Sequence, residues 1–158
     1  MHLTVRSDHA MRLLMFCALH PERLVTVAHI AETCGMSETH LAKIAHALAA
    51  AGFIETTRGR RGGVRLAQPP EAITVGAVLR AMETGVGLTE CLGPEPNTCV
   101  LAPACRLRRA FVAALEAFFA ELDRHSLADL TTDSDDLRSL LGLGSQGDAT
   151  ELLYSEYQ

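Results

Sequence analysis

The sequence predicts a mainly α-helical chain with one small β-hairpin: a winged helix-turn-helix followed by a long helix. Three observations carry this fold class. Two capped helical segments are joined by "CGMS" at 34–37. Two short strand-like runs flank the turn "RGRRGG" at 58–63. Between Leu107 and Leu122 apolar residues recur with a period of about 3.6.

The first predicted helix runs from Val5 to His20. Met11, Leu14, Met15, Ala18 and Leu19 recur at helical spacing, and Pro21 ends it. Thr26 caps "VAHIAETC", which Gly35 closes; Ser37 caps "ETHLAKIAHALAA", with Leu41, Ile44, Ala45 and Leu48 as its buried stripe. Gly52 supplies the C-terminal cap. Two helices joined by a tight glycine-bearing turn form a helix-turn-helix. "FIETT" and "VRLA" then make a hairpin around the arginine-rich turn, the position of a wing. "QPPEA" is a linker, and Thr74 caps "VGAVLRAME". Pro103 suits the first turn of a long helix from Ala104 to about Arg124, whose stripe is Leu107, Phe111, Leu115, Phe118 and Leu122. "SLADL" forms one more turn. The organisation expected is a DNA-binding region over 1–70, a thiol loop and long helix over 71–130, and an acidic, mostly mobile tail over 131–158.

A net charge of −5 argues against nucleic acid until it is divided. Residues 1–70 hold eight Lys/Arg against five Asp/Glu; residues 71–158 hold six against fourteen. A basic front half suits a DNA face. In a helix-turn-helix the second helix enters the major groove by its N-terminal residues. Here these are Ser37, Glu38, Thr39, His40 and Lys43, whose hydroxyls, carboxylate and ammonium suit base edges and phosphates. Arg58, Arg60 and Arg61 of the wing suit a minor groove. A protein-interaction winged helix with a solvated turn is the competing reading.

Three of five cysteines lie in one stretch: Cys91, Cys99 and Cys105, spaced C-x7-C-x5-C. No apolar run reaches the roughly 18 residues of a membrane helix. The N-terminus has amphipathic spacing and no small-residue cleavage site, so no signal peptide is expected and the cytoplasm is the expected compartment. Thiols there stay reduced, and an odd count favours metal, redox chemistry or burial over disulfides. An iron–sulfur cluster, zinc and plain thiols all stay open; the gaps are longer than the C-x2-4-C habit of structural zinc. Cys17 and Cys34 fit small core residues. His125 reads as a surface residue, and His9 is a minor ligand candidate. No C-x-x-C motif, catalytic triad or phosphate-binding glycine loop supports an enzyme.

The order "SDHAMRLL", helix-turn-helix, "RGRRGGVRLA", "ITVGAVLRAMET", "PACRLRRAF" and "FFAELDRHSLADL" resembles the Rrf family of winged-helix iron–sulfur regulators, over about residues 1–130. The resemblance implies a homodimer paired through the long helix. It implies an iron–sulfur cluster, [4Fe–4S] in the first instance and [2Fe–2S] as the alternative, on Cys91, Cys99 and Cys105. In the family's nitric-oxide-sensing repressors an aspartate from the first helix of the other subunit completes the ligands, and Asp8 stands in that place; its alternative role is a helix-end charge. A sister branch uses a histidine three residues after the third cysteine, where this chain has Arg108. The seven-residue first gap is longer than in some relatives. Arg106, Arg108 and Arg109 would set positive charge beside an anionic cluster, or form a solvated face. The expected function is repression of operator DNA, relieved by nitric oxide. A redox-sensing regulator of the sister branch, or a cluster-free or zinc-bearing winged-helix repressor, is the alternative.

Overall fold

The computed structural model describes residues 3–59, 62–83, 89–93, 97–132 and 134–141. The chain begins with α1 (Val5–Ala18), α2 (Val27–Thr33) and α3 (Glu38–Ala50). The hairpin β1 (Ile54–Thr57) and β2 (Gly63–Leu66) follows, then α4 (Val75–Met82), the long α5 (Arg106–Leu122), α6 (Leu127–Thr131) and α7 (Asp135–Leu140). The predicted fold class holds in full.

Local chemistry sets the helix starts. Thr4, Thr26, Ser37 and Thr74 each accept a backbone N–H three residues on, at the heads of α1 to α4. Ser126 and Asp129 form a reciprocal capping box on α6. Gly35 and Gly52 end α2 and α3 at φ of 65° and 79°, in the left-handed region that glycine tolerates best.

The strands pair antiparallel in the register Ile54–Leu66 to Thr57–Gly63. Val25 adds a third rung against Val64, through N–H···O bonds of 3.0 and 2.8 Å. A Cβ at Gly63 would stand 2.7 Å from the Val25 carbonyl oxygen, so this rung needs glycine there.

Helix α1 lies at the centre and packs against α3, α4, α6 and β2. Its Ala10, Leu13, Leu14 and Phe16 are fully buried among Ile30, Leu41, Leu48, Val78 and Leu127. Cys17 joins this core, where burial pushes its thiol up to about 12. The α4 start and α6 are sewn together by Val75 N–H to His125 O and Leu127 N–H to Ile73 O.

One expectation needs correction. Pro103 lies in a separate 3-10 turn, Ala102–Ala104, and Cys105 caps α5, which starts at Arg106. The α5 stripe, expected to pair long helices, is only partly covered within its own chain. Leu107 is 61 % exposed, Phe111, Leu115, Phe118 and Leu122 are half-buried, and only the adjacent Phe119 is buried. A helix's period locates an apolar face without saying what covers it. The acidic segment after Thr131 begins with a helix, and Leu141 packs against the core. The remainder of that segment, 142–158, lies outside the described residues.

Candidate functional site

The residues expected to read DNA lie on α3. Ser37, Glu38, Thr39, His40 and Lys43 are all exposed at its N-terminal half. Ala42 and His46 continue that face, and a concavity lined by Glu38, Thr39, Ala42, Lys43 and His46 runs along it. A second concavity between α2, α3 and the wing holds Thr26, His46, Thr57 and Arg58. His46, three residues after Lys43, shares that helical face and lines both concavities. Arg58 is exposed. Arg60 and Arg61 lie outside the described residues. Arg65 on the wing is engaged elsewhere, gripping Glu55 at 2.7 and 3.0 Å.

His40 has a second contact. Its ring meets His9 of α1 edge-on, centroids 5.7 Å apart, and the buried Nδ1 of His9 has no hydrogen-bond partner among the described residues. The reading helix therefore touches the first helix one residue from Asp8.

The thiol loop is tied to itself and to the start of α5. Cys91 sits in the 3-10 turn Glu90–Leu92, its Sγ 3.2 Å from the Thr89 hydroxyl. Glu90 Oε1 accepts from the Thr98 backbone N–H at 2.7 Å and its hydroxyl at 2.6 Å. These bonds hold its carboxyl below the usual range. Cys99 N–H donates to Asn97 Oδ1. Cys105 caps α5, its Sγ accepting the Arg108 N–H at 3.4 Å, while Arg108 Nε donates to the Cys91 carbonyl. Arg108 thus joins the first and third thiol segments. Pro94 and Pro96 lie outside the described residues.

All three thiols are free and half-buried. Among the described residues no three His, Cys, Asp or Glu side chains are close enough to hold one metal ion. The donor chemistry nonetheless fits an iron–sulfur group. Three thiols lie on an irregular loop, and the third stands at a helix N-terminus followed by Arg106, Arg108 and Arg109, whose positive charge would offset the negative charge of an anionic cluster.

Asp8 is in the first turn of α1, exposed, and ion-paired to Arg12 at 3.0 Å. It edges a groove with Met11, Leu79, Phe118 and Leu122. One further residue, not foreseen from the sequence, fixes that turn. Glu83 Oε1, just after α4, accepts from Thr4 N–H at 2.7 Å, Thr4 Oγ1 at 2.9 Å and the fully buried Ser7 hydroxyl at 2.6 Å. Burial raises the Glu83 carboxyl, but these hydrogen bonds outweigh it and hold it below its ordinary value. No local pattern marks such a contact, because 79 residues separate Thr4 from Glu83.

The groove beside Asp8 touches α5 at Phe118 and Leu122, whereas Cys105 caps its opposite end. At 1.5 Å rise per residue these positions are about 20–25 Å apart along the helix. Asp8 therefore lies far from Cys105 of its own chain.

The sequence profile of Rrf2, described as an iron-dependent transcriptional regulator, matches residues 3–133. The HTH-type transcriptional regulator NsrR of Geobacillus kaustophilus is 48 % identical over 142 residues, covering 89 % of this chain and 97 % of that protein. Its namesake in Bacillus subtilis is 39 % identical over 142 residues, covering 89 % and 97 %. Among solved structures, CymR (YrzC), the global cysteine regulator of B. subtilis, superposes with a TM-score of 0.67 at 26 % identity, covering 85 % of this chain and 99 % of that one. T. potens IscR shares the fold, with a TM-score of 0.66 at 24 % identity over 87 % of this chain and 91 % of that one.

Proposed function

The chain belongs to the Rrf2 family of transcriptional regulators, and on that premise we propose that it is a homodimeric repressor whose hold on operator DNA is relieved by nitric oxide. The sensing group is an iron–sulfur cluster, [4Fe–4S] in type, held by Cys91, Cys99 and Cys105 of one subunit and by Asp8 of the partner subunit. The protein acts in the cytoplasm, with its DNA; among the described residues no helix is long and apolar enough to cross a membrane. It catalyses no turnover.

One observation carries the shared site: thiols lie at one end of α5, Asp8 of α1 borders the other, and a partly exposed apolar face lies between them. Pairing two such helices antiparallel about a two-fold axis brings each thiol loop to the Asp8 end of the other subunit. Charge supports the same choice. The loop end carries Arg106, Arg108 and Arg109; the far end carries Glu116, Glu121 and Asp123 against Arg124, with Glu121 paired to Arg124 and Asp123 to Arg80, and so stays net acidic along α5. Parallel pairing would set arginine against arginine.

When bound, the cluster supplies the iron that reacts with nitric oxide. The chain's own residues convert that event into altered DNA affinity. Asp8 has two possible partners: the cluster across the interface, or Arg12 four residues along its own helix. Held across the interface, it fixes the first turn of α1 between the partner's loop and Glu83. Helix α1 packs beneath α3 and touches it through His9 and His40. The tilt of α1 therefore sets the attitude of Ser37, Glu38, Thr39, His40 and Lys43 toward a major groove. It also sets the reach of Arg58, Arg60 and Arg61 to the flanking minor groove. Once Asp8 returns to Arg12, that attitude is no longer enforced. Couplings of this kind are worth about 1–3 kcal/mol, or 5- to 150-fold in affinity.

A cluster-free repressor is the second reading, favoured by thiols that are not gathered on one another. Anaerobic purification separates the two. The expected protein is brown, contains iron and sulfide, and loses affinity for a promoter fragment when nitric oxide bleaches its spectrum. A colourless protein that binds the same fragment at full strength, with or without nitric oxide, would sink the cluster.

A further inference from the structure

Two neighbouring aliphatic side chains protrude from the thiol loop. Val100 is 90 % exposed and Leu101 69 %, and both lie between Cys99 and Cys105. They are not loosely hung. The Cys99 carbonyl accepts from Ala102 N–H and the Leu101 carbonyl from Ala104 N–H, each at 3.1 Å, in a turn stiffened by Pro103. A rigid turn that holds two aliphatic side chains in water, against the hydrophobic effect, has the form of an unfilled contact.

The complementary feature lies at the other end of α5. A groove of about 380 Å³ runs between the first turns of α1, α4 and the end of α5. Met11, Val75, Leu79, Phe118 and Leu122 line it, and Asp8 stands on its rim. Most of its exposed lining is apolar, and nothing from the chain's own described residues fills it.

We infer that Val100 and Leu101 of one subunit form an apolar plug that seats in the α1–α4–α5 groove of a second copy. The occupant follows from the geometry. Antiparallel pairing of α5 carries the loop of one chain to the groove of the other, and it sets the Arg106, Arg108 and Arg109 end against a far end that is net acidic along α5 even with Arg124, whereas parallel pairing sets the three arginines against their own copies. Seating the plug beside the rim also places Cys99 and Cys105, which flank it, next to Asp8. The plug would thus assemble the thiols and the carboxylate by burial of hydrocarbon, before any metal is bound. Nitric oxide would then act on a joint that the plug keeps closed, so that Asp8 is released without the dimer separating.

This inference rests on the paired dimer proposed above and is independent of the cluster. It is tested on the full chain, in cluster-loaded and cluster-free forms, by sedimentation at graded concentrations. Val100→Ser with Leu101→Ser changes only exposed side chains, so folding is spared. Leu140→Ser, at a position 83 % exposed on α7, is the control. The double variant should weaken dimerisation of both forms by at least about tenfold, the fold-change for withdrawing one aliphatic side chain from a buried site. The control should match the parent. A photo-crosslinking residue at 101, in mixtures of two differently tagged copies, should label segments 3–11, 75–79 or 118–122 of the other copy. A dimeric parent whose dissociation constant is unmoved by the double variant overturns the plug and leaves the dimer standing. So does a crosslink confined to the same chain. A parent that stays monomeric in both forms overturns the dimer and the plug together.

Discussion

Glu83 is the most informative residue to remove. One of its carboxylate oxygens accepts three hydrogen bonds from the first turn of α1. In Glu83→Ala the two Thr4 donors are exposed and turn to water, at a cost below about 1 kcal/mol. Ser7 is different. Its side chain is fully buried, so its hydroxyl is orphaned, at about 1–3 kcal/mol. The sum, about 3 kcal/mol, lowers Tm by roughly 6–12 °C for a chain of this size. Thermal melts followed by circular dichroism measure it. The decisive assay is a double-mutant cycle with Ser7→Ala. Once the hydroxyl is gone, losing Glu83 should cost about 1–2 kcal/mol less. Equal costs in the two backgrounds would refute the assignment of the energy to the Ser7 bond. The pH dependence has a fixed sign. The folded carboxyl lies below its ordinary 4.5, so its contribution is complete above that pH and is lost as pH falls through the lowered value. The gap between parent and Glu83→Ala should therefore narrow on acidification below about 4.5.

Gly76→Ala would drive a Cβ into the Asp123 carboxylate, and to 3.0 Å from the Phe119 carbonyl oxygen. It should break the paired Arg80–Asp123 bonds of 2.6 and 2.7 Å and cost about 1–3 kcal/mol; an unchanged melting temperature would contradict this packing. Lys43→Ala should weaken binding of a promoter fragment and reduce the slope of log affinity against log salt by about one, whereas an unchanged slope would remove Lys43 from the phosphate contacts. Alkylation of the native cluster-free protein should label Cys91, Cys99 and Cys105 while sparing Cys17, which is 2 % exposed with its thiol pushed up to about 12. Mass spectrometry finding Cys17 labelled at the same rate would show that α1 is not the packed centre of the fold. His20 is buried, and desolvation lowers its pKa from 6.5 despite its bond to the Phe16 carbonyl. Stability should accordingly fall as pH drops below about 6.5, and Leu in its place should flatten that slope in denaturant titrations.

What could be foreseen in this chain was decided over short stretches. Thr26, Ser37 and Thr74 each cap the helix that follows, because a hydroxyl three residues from an orphan N–H needs no distant partner; Thr4 and Ser126, not singled out from the sequence, obey the same rule. Gly35 and Gly52 end helices through their own backbone freedom. The helix-turn-helix, the wing and the thiol loop all followed from such local rules, together with the motif order that led to the family. Tertiary structure decided the rest, because it depends on which surfaces meet. Periodicity marked the apolar face of α5, yet the buried residue is Phe119, since Arg80 at 4.6 Å from its ring and Asp123 anchor a different line of that helix to α4. Glu83 reaches Thr4 and Ser7 only because α4 returns beside α1. The distance between Asp8 and Cys105 follows from the straight length of α5 and the helix end at which α1 is packed. Sequence supplied the four candidate ligands; the length of one helix is what sets Asp8 apart from Cys105 within a chain.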